Sequence, residues 1–195
     1  MLYFYDCEFL EDGYTIELVS IGIAAEDGRN YYAVNRNVRW ERVARPEFAW
    51  VRENVWPHLP VSHTGSLSIN RNHQDSKDKD VIAKEVQEFL LHESTPDGQV
   101  PRIELWGEYP AYDHVVLCQL WGRMIELPSG IPMRTNCLVQ LAESMGVSEK
   151  QLPQQNPDTQ HHAMHDALHN LEVYKALRPA RYFLDGSRSQ VSGIV

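Results

Sequence analysis

The sequence predicts a mixed α/β domain, with one central sheet covered by helices, on three observations. Apolar and aromatic runs with strand character dominate the first third of the chain, whereas helical periodicity dominates the rest. The 195 residues suffice for one well-buried domain. Hydrophobic residues make up 43% and charged residues 23%, which argues against disorder. Strands first, and then helices that alternate with strands, indicate a mixed sheet with helices packed on it.

Three consecutive antiparallel strands are predicted at the N-terminus. Runs with strand composition cover Leu2 to Glu8, Ile16 to Ala25 and Tyr31 to Val34. The two connections contain Asp12-Gly13 and Asp27-Gly28, a pair of residues typical of tight hairpins.

Helices and shorter strands are predicted over the remainder. An amphipathic helix from about residue 80 has apolar residues at Ile82, Val86, Phe89 and Leu90, which share one helix face. The later predictions are a strand over Ile103 to Trp106, a helix over Tyr112 to Trp121, a helix over Cys137 to Met145, and a last helix that Pro179 ends. The polar stretch 57–78 is predicted to be a mobile loop. The predicted domain covers residues 1–177, and a C-terminal tail covers 178–195.

The charge balance limits how this protein could bind nucleic acid. Asp and Glu total 27 against 18 Lys and Arg, a net charge of -9, so a polyanion would have to be held locally by bound cations or by a small arginine patch. Arginines recur every three residues at Arg36, Arg39, Arg42 and Arg45. Interleaved glutamates favour a solvated face, and an arm that contacts RNA phosphates is the alternative.

The expected location is intracellular and cytoplasmic. No apolar run approaches the ~20 residues of a membrane span, and the first residues lack the basic start of a secretory signal. Cys7, Cys118 and Cys137 are too widely spaced to indicate a disulfide framework or a zinc knuckle.

Two acids close the first predicted strand. Side chains at i and i+2 share one face of a strand, so Asp6 and Glu8 converge while Cys7 points the other way. Two adjacent carboxylates repel each other, and oxygen ligands of this kind suit Mg²⁺ or Mn²⁺. A solvated strand end is the alternative interpretation.

Two later motifs carry further candidates. Asp113 opens a predicted helix, where an acid also acts as an ordinary helix cap. Near the last helix, His161 precedes Asp166 by five residues, and a loop histidine beside a metal-binding acid can take a proton from water. Histidines at 161, 165 and 169 have helical metal-ligand spacing, but they lack the glutamate of the zinc-protease motif.

Together these motifs resemble the DEDDh family of 3′-5′ exonucleases, and most closely its bacterial 3′-5′ exoribonuclease AS subgroup. The resemblance covers residues 1 to about 177 and rests on four stretches: Tyr3-Phe4-Tyr5-Asp6-Cys7-Glu8-Phe9-Leu10-Glu11-Asp12-Gly13, Ile16-Glu17-Leu18-Val19-Ser20-Ile21-Gly22, Ala111-Tyr112-Asp113-His114 and His161-His162-Ala163-Met164-His165-Asp166-Ala167. It implies an RNase H-like fold with a mixed sheet, two divalent ions (Mg²⁺ or Mn²⁺), an RNA substrate and a homodimer.

The resemblance also implies roles for individual residues. Asp6, Glu8, Asp113 and Asp166 would be metal ligands, with Glu8 also catalytic, and His161 would be the general base. Many relatives carry asparagine at the position of Tyr109, four residues before the third acid.

Three questions stay open at this level. Phe9 could stack on the terminal base or pack in the core, since strand alternation points it away from the acids. A DNA exonuclease of the same fold is one alternative function, because no motif distinguishes ribose from deoxyribose. A non-catalytic nucleic-acid-binding module that kept the fold is the other alternative.

Overall fold

A computed structural model describes residues 1–62, 67–92 and 102–188, with side chains as far as residue 178. Within these ranges the fold is a six-stranded mixed sheet flanked by helices, which confirms the predicted fold class and is consistent with an RNase H-like fold. The strands are β1 (Leu2–Glu11), β2 (Ile16–Ala25), β3 (Asn30–Asn35), β4 (Ser76–Lys77), β5 (Glu104–Gly107) and β6 (Asn136–Cys137). Their order in the sheet is β4-β3-β2-β1-β5-β6.

The sheet is antiparallel on one side of β1 and parallel on the other. β1 pairs antiparallel with β2, and β2 with β3, whereas β5 pairs parallel with β1 and β6 with β5. Gly13 and Gly28 in the two hairpin connections have φ of 85° and 94°, so both use the left-handed conformation that glycine adopts without strain. The predicted N-terminal hairpins are thus confirmed.

Helices cover both faces of the sheet. They are α1 (Ala49–Asn54), α2 (Lys79–Leu90), α3 (Ala111–Cys118), α4 (Leu138–Ser144) and α5 (Ala163–Arg188). Short 3-10 turns cover Trp40–Ala44, Pro46–Phe48, Trp56–His58, Met124–Glu126, Glu149–Gln151 and Pro157–Thr159. No helix in the described ranges combines the length and apolarity needed to cross a bilayer.

The alternation of β1 determines which helices its side chains meet. Tyr3, Tyr5 and Cys7 pack in one core cluster with residues of α2 and α3. Phe4 points to the opposite face and packs with residues of α4 and α5. Asp6 and Glu8 have the same parity as Phe4, so they lie on the face that α5 covers.

The first turn of α5 lies directly on β2. A Cβ atom built on Gly22 would be 2.2 Å from the carbonyl oxygen of Ala163, far inside any permitted contact. Gly22 is also the register partner of Asp6 in β1. The absence of a side chain at Gly22 therefore brings the start of α5 next to the acids of β1.

Two predictions about the less regular stretches need correction. Within the stretch 57–78 the structure has the short strand β4 and a bridge between Val61 and Ile69, which were not predicted, because two-residue strands leave no periodicity. Its mobility stays a prediction, and residues 63–66 are outside the described ranges. Pro179 does not end α5, which continues to Arg188 although a proline inside a helix removes one main-chain hydrogen bond.

Two arginines of the series, Arg36 and Arg42, are occupied in ion pairs. Arg42 is buried and lies 2.7 Å from the carboxylate of Glu17 and 3.4 Å from that of Asp12. Arg36 pairs with Asp78, which precedes α2. These contacts support a structural role for both arginines over a phosphate-contacting arm.

Candidate active site

Two segments distant in sequence, β1 and the start of α5, meet at one edge of the sheet face that α5 covers. Asp6 and Glu8 come from β1, and Asp166 comes from the first turns of α5. The potential ligand atoms of Glu8, Asp166 and His161 all lie within 4.8 Å of one another. The structure therefore brings together residues that the sequence places more than 150 positions apart.

Asp113 joins this group through the start of α3. The backbone N–H of Cys7 donates a hydrogen bond of 2.8 Å to Oδ1 of Asp113, which holds the carboxylate against β1. Cys7 itself is buried in the core, as the strand alternation predicts. The backbone between the two acids of β1 thus positions the third acid.

A glutamine that sequence reasoning missed holds the fourth acid. The side-chain amide of Gln155 donates to Oδ1 of Asp166 and to the carbonyl oxygen of Thr159, the latter at 3.4 Å. Gln155 lies in an irregular loop, where no periodicity or motif marks one glutamine among several. Its contact links the loop before α5 to the acidic group.

His161 stands just before α5 in an unusual backbone conformation. Its φ is 63°, in the left-handed region that few residues other than glycine adopt. Its imidazole ring meets the indole of Trp50 edge to face, with the ring centroids 4.8 Å apart. Trp50 is a second contributor that the sequence did not mark.

The four acids lie in an environment that disfavours their ionised forms. Burial raises the pKa of Glu8 to about 8 and that of Asp113 to about 6, and the nearby carboxylate of Asp166 contributes to both increases. Burial, followed by repulsion from Asp113, holds the pKa of Asp6 well above its usual value. Burial likewise raises the pKa of Asp166.

No arginine or lysine within the described ranges forms a salt bridge with any of these four acids. Among the described side chains, no arginine or lysine therefore balances the negative charge. Carboxylate oxygens clustered in this way fit a divalent cation such as Mg²⁺ or Mn²⁺, which takes oxygen ligands.

Two of the four acids, Asp6 and Asp166, line a cleft of about 310 Å³. Its lining includes Asp6, Glu108, Tyr109, His161 and Asp166. The cleft is large enough to admit part of a nucleotide beside the carboxylates.

Phe9 does not line this cleft. It lies on the other face of β1, partly packed on the core, with its ring centroid 6.0 Å from that of Tyr112. The alternation of β1 accounts for this placement, and stacking of Phe9 on a base stays a prediction.

Without a bound cation, the protein is expected to lose stability as the pH rises. A carboxyl whose pKa is higher in the folded state keeps its proton longer there than in the unfolded chain, so its ionisation favours unfolding. For Glu8 the free energy of unfolding should fall between about pH 4, where a free carboxyl ionises, and about pH 8. Thermal unfolding in EDTA at a series of pH values measures this loss of stability. Each kcal/mol lost from the free energy of unfolding should lower the melting temperature by about 2–4 °C.

Variants of single acids provide the control for this pH dependence. Glu8→Gln should flatten the decline, whereas Glu143→Gln, on the exposed side of α4, should leave it unchanged. A melting temperature in EDTA that rises or stays level over this pH range would contradict the raised pKa of Glu8 in the folded protein.

The fold and the cleft define an α/β domain with an acidic candidate active site. A family model, the 3′-5′ exoribonuclease Rv2179c-like domain, matches residues 1–177, and the chain belongs to that family. Two curated relatives are each 42% identical over 177 residues, which span 91% of this chain and 93% of the relative. They are the 3′-5′ exoribonuclease Rv2179c of Mycobacterium tuberculosis strain H37Rv and the 3′-5′ exoribonuclease MT2234.1 of strain CDC 1551. The predicted 3′-5′ exoribonuclease family is therefore confirmed.

Proposed function

We propose that this protein is a metal-dependent 3′-5′ exoribonuclease of the DEDDh type, which releases nucleoside 5′-monophosphates from RNA 3′ ends. The observation that carries the proposal is the convergence of Glu8, Asp166 and His161 within 4.8 Å, beside the buried carboxylates of β1 and α3. Membership of the Rv2179c-like family gives independent support.

The four acids are the proposed metal ligands. Asp6, Glu8, Asp113 and Asp166 supply oxygen atoms only. Burial raises the pKa of all four, and repulsion from neighbouring carboxylates adds to the increase for Asp6, Glu8 and Asp113, so ionised carboxylates are unfavourable here without a cation. Two divalent ions held there would offset this charge, polarise the scissile phosphate and make a water molecule more acidic. This also explains how a chain of net charge -9 could receive a polyanion.

His161 is the proposed general base. It lines the cleft with Asp166, at the end of an irregular loop and before the first turn of α5. Trp50 restricts one side of its ring, so the imidazole is directed by packing as well as by the backbone. From this position the imidazole of His161 would take the proton of the attacking water as a general base.

We also propose that the enzyme forms a homodimer. Large apolar side chains are exposed on the β1–β2 hairpin and on α3, at Tyr14 (98%), Tyr112 (54%) and Val115 (44%). A contiguous apolar surface of this kind favours association with another protein surface. Light scattering on the wild type and on Val115→Lys measures the mass, and a monomeric wild type would contradict this part of the proposal.

The test of function follows both ends of one RNA strand. A 3′-labelled single-stranded RNA should release labelled mononucleotide at once, and a 5′-labelled one should give a ladder that shortens with time. Both products should require Mg²⁺ or Mn²⁺, disappear with EDTA, and nearly disappear in His161→Ala. His92 is exposed just after the end of α2, so the matched variant His92→Ala should release nucleotides at the wild-type rate.

The same assay separates the alternatives. Preferential trimming of DNA of the same sequence would favour the DNA exonuclease. RNA binding without cleavage under either metal would favour the binding module and contradict the proposed catalysis.

A further inference from the structure

Two residues other than glycine have a positive φ within the described ranges, and both line the acidic cleft. They are Tyr109, at 46°, and His161, at 63°. A bulky side chain in the left-handed region is strained, and such strain persists only where the surrounding structure enforces it. Its occurrence twice in one cleft, at the proposed base His161 and at Tyr109, indicates that Tyr109 also has a role at this site.

A tight turn enforces the conformation of Tyr109. The turn leaves β5 at Gly107, where an added Cβ would be 2.9 Å from Pro110 and 3.1 Å from the carbonyl oxygen of Tyr5. The turn is thus pressed against β1, and the N–H of Ala111 donates a 2.8 Å hydrogen bond to the carbonyl of Tyr109. The turn that contains Tyr109 leads directly into α3, which carries Asp113, so we expect a change of its backbone conformation to shift the start of that helix.

The ring of Tyr109 makes few contacts that could stabilise the folded domain. It is 71% exposed, although it lines the same cleft as Asp6, His161 and Asp166. Among the residues that the structure describes, its side chain has no hydrogen bond and no ring contact. A strained backbone that holds an uncovered aromatic ring beside reactive groups indicates a ligand-binding role.

We infer that Tyr109 is a stacking platform for a base at the 3′ end of the RNA substrate. This inference rests on the proposed function and deepens it. An uncharged ring is suited to this cleft, because the face of a base carries no charge and its stacking does not depend on how completely bound ions offset the carboxylates. Stacking on an aromatic side chain is tolerant of sequence, so Tyr109 would add affinity for a 3′ end without selecting a base.

The variant Tyr109→Asn tests the ring without disturbing the turn. Asparagine tolerates the left-handed region better than tyrosine, so the melting temperature should be equal to or higher than that of the wild type. The KM for single-stranded RNA should rise about 5- to 150-fold, the range that 1–3 kcal/mol of stacking represents, with little change in kcat. Tyr109→Phe keeps the ring and should keep the wild-type KM.

An RNA with abasic residues at its last two 3′ positions distinguishes stacking from a structural role. The wild type should bind this RNA more weakly than the intact RNA, and Tyr109→Asn should lose no further affinity on it. Fluorescence anisotropy with Ca²⁺ in place of Mg²⁺ measures binding separately from cleavage. An unchanged affinity of Tyr109→Asn for intact RNA, or an equal loss on both RNAs, would overturn the inference.

The binding arm also separates this inference from the proposed function. If the wild type binds RNA without cleaving it, catalysis fails while the comparison between intact and abasic RNA still tests the ring. If the wild type cleaves RNA and Tyr109→Asn has the wild-type KM, the stacking role fails alone. A wild type that neither binds nor cleaves RNA contradicts both.

Discussion

Replacing Asp6 with asparagine is expected to abolish nucleotide release and, at the same time, to stabilise the metal-free protein. Asp6 lies beside the other acids of β1 and α3, and its pKa is held well above its usual value by burial and by Asp113 and Glu8. An amide in place of this carboxyl would remove the repulsion, but it cannot supply the negative charge that the proposed ions need. Loss of about 4 kcal/mol of transition-state stabilisation would lower kcat about a thousandfold.

The stability effect has the opposite sign because the amide carries no charge. At about pH 8 in EDTA, the variant should melt higher than the wild type, by about 2–4 °C for each kcal/mol of repulsion removed. Addition of Mg²⁺ should then raise the melting temperature of the wild type more than that of the variant. Differential scanning calorimetry with and without Mg²⁺, together with the labelled-RNA assay, measures both effects.

The matched control for this variant is Asp80→Asn, on the exposed first turn of α2. It should leave the activity and the response to Mg²⁺ unchanged. Cleavage by Asp6→Asn at the wild-type rate would contradict the role of Asp6 as a metal ligand. A fall in the metal-free melting temperature of Asp6→Asn would contradict the repulsion between the acids.

Gly22→Ala is expected to disrupt the site without changing any residue that takes part in the chemistry. The new Cβ would be 2.2 Å from the Ala163 carbonyl oxygen and 2.5 Å from Cα of Met164. Both are backbone atoms, so no side-chain rotation can relieve the clash. The first turn of α5 must move by about 1 Å, and overpacking of this kind destabilises a protein by about 1–3 kcal/mol.

The same displacement moves the candidate base and the fourth acid. His161 and Asp166 flank the point of contact in sequence, so a shift of α5 changes their distance to the acids of β1. A misplacement of about 1 Å can lower the rate of an enzyme about a hundredfold. We therefore expect a lower melting temperature and a kcat reduced by about that factor.

Gly28→Ala is the control that separates a clash from backbone strain. Gly28 has φ of 94° but no heavy atom within 4 Å of an added Cβ, so only its conformation is penalised. It should lower stability by about 1 kcal/mol and leave kcat unchanged. A Gly22→Ala protein with wild-type stability and activity would contradict the close packing of α5 on β2.

Local patterns were sufficient for the main elements of the fold and for the candidate acids. Period-two alternation predicted the two faces of β1, and with them the shared side of Asp6 and Glu8 and the burial of Cys7. The Asp-Gly pairs predicted both hairpins, because glycine accepts the positive φ of Gly13 and Gly28. Such features depend on neighbouring residues and are readable without any knowledge of the distant chain.

Features that depend on contacts between distant segments could not be predicted in this way. The hydrogen bond from Gln155 to Asp166, the ring of Trp50 against His161 and the two-residue strand β4 have no local signature. The ends of elements also differ: α3 stops at Cys118, because Leu120 and Trp121 bond to the carbonyls three residues earlier and not four.

The sequence by itself determines which charged residues this protein has and in what order they follow each other along the chain. Their meeting in one cleft is a property of packing: Gly22 lets α5 approach β2, and Cys7 donates a backbone hydrogen bond to Asp113. The same packing sets the burial that raises the pKa of Glu8 to about 8. Burial and distance arise from residues far apart in sequence, and so the electrostatics of the site emerge only once the chain is folded.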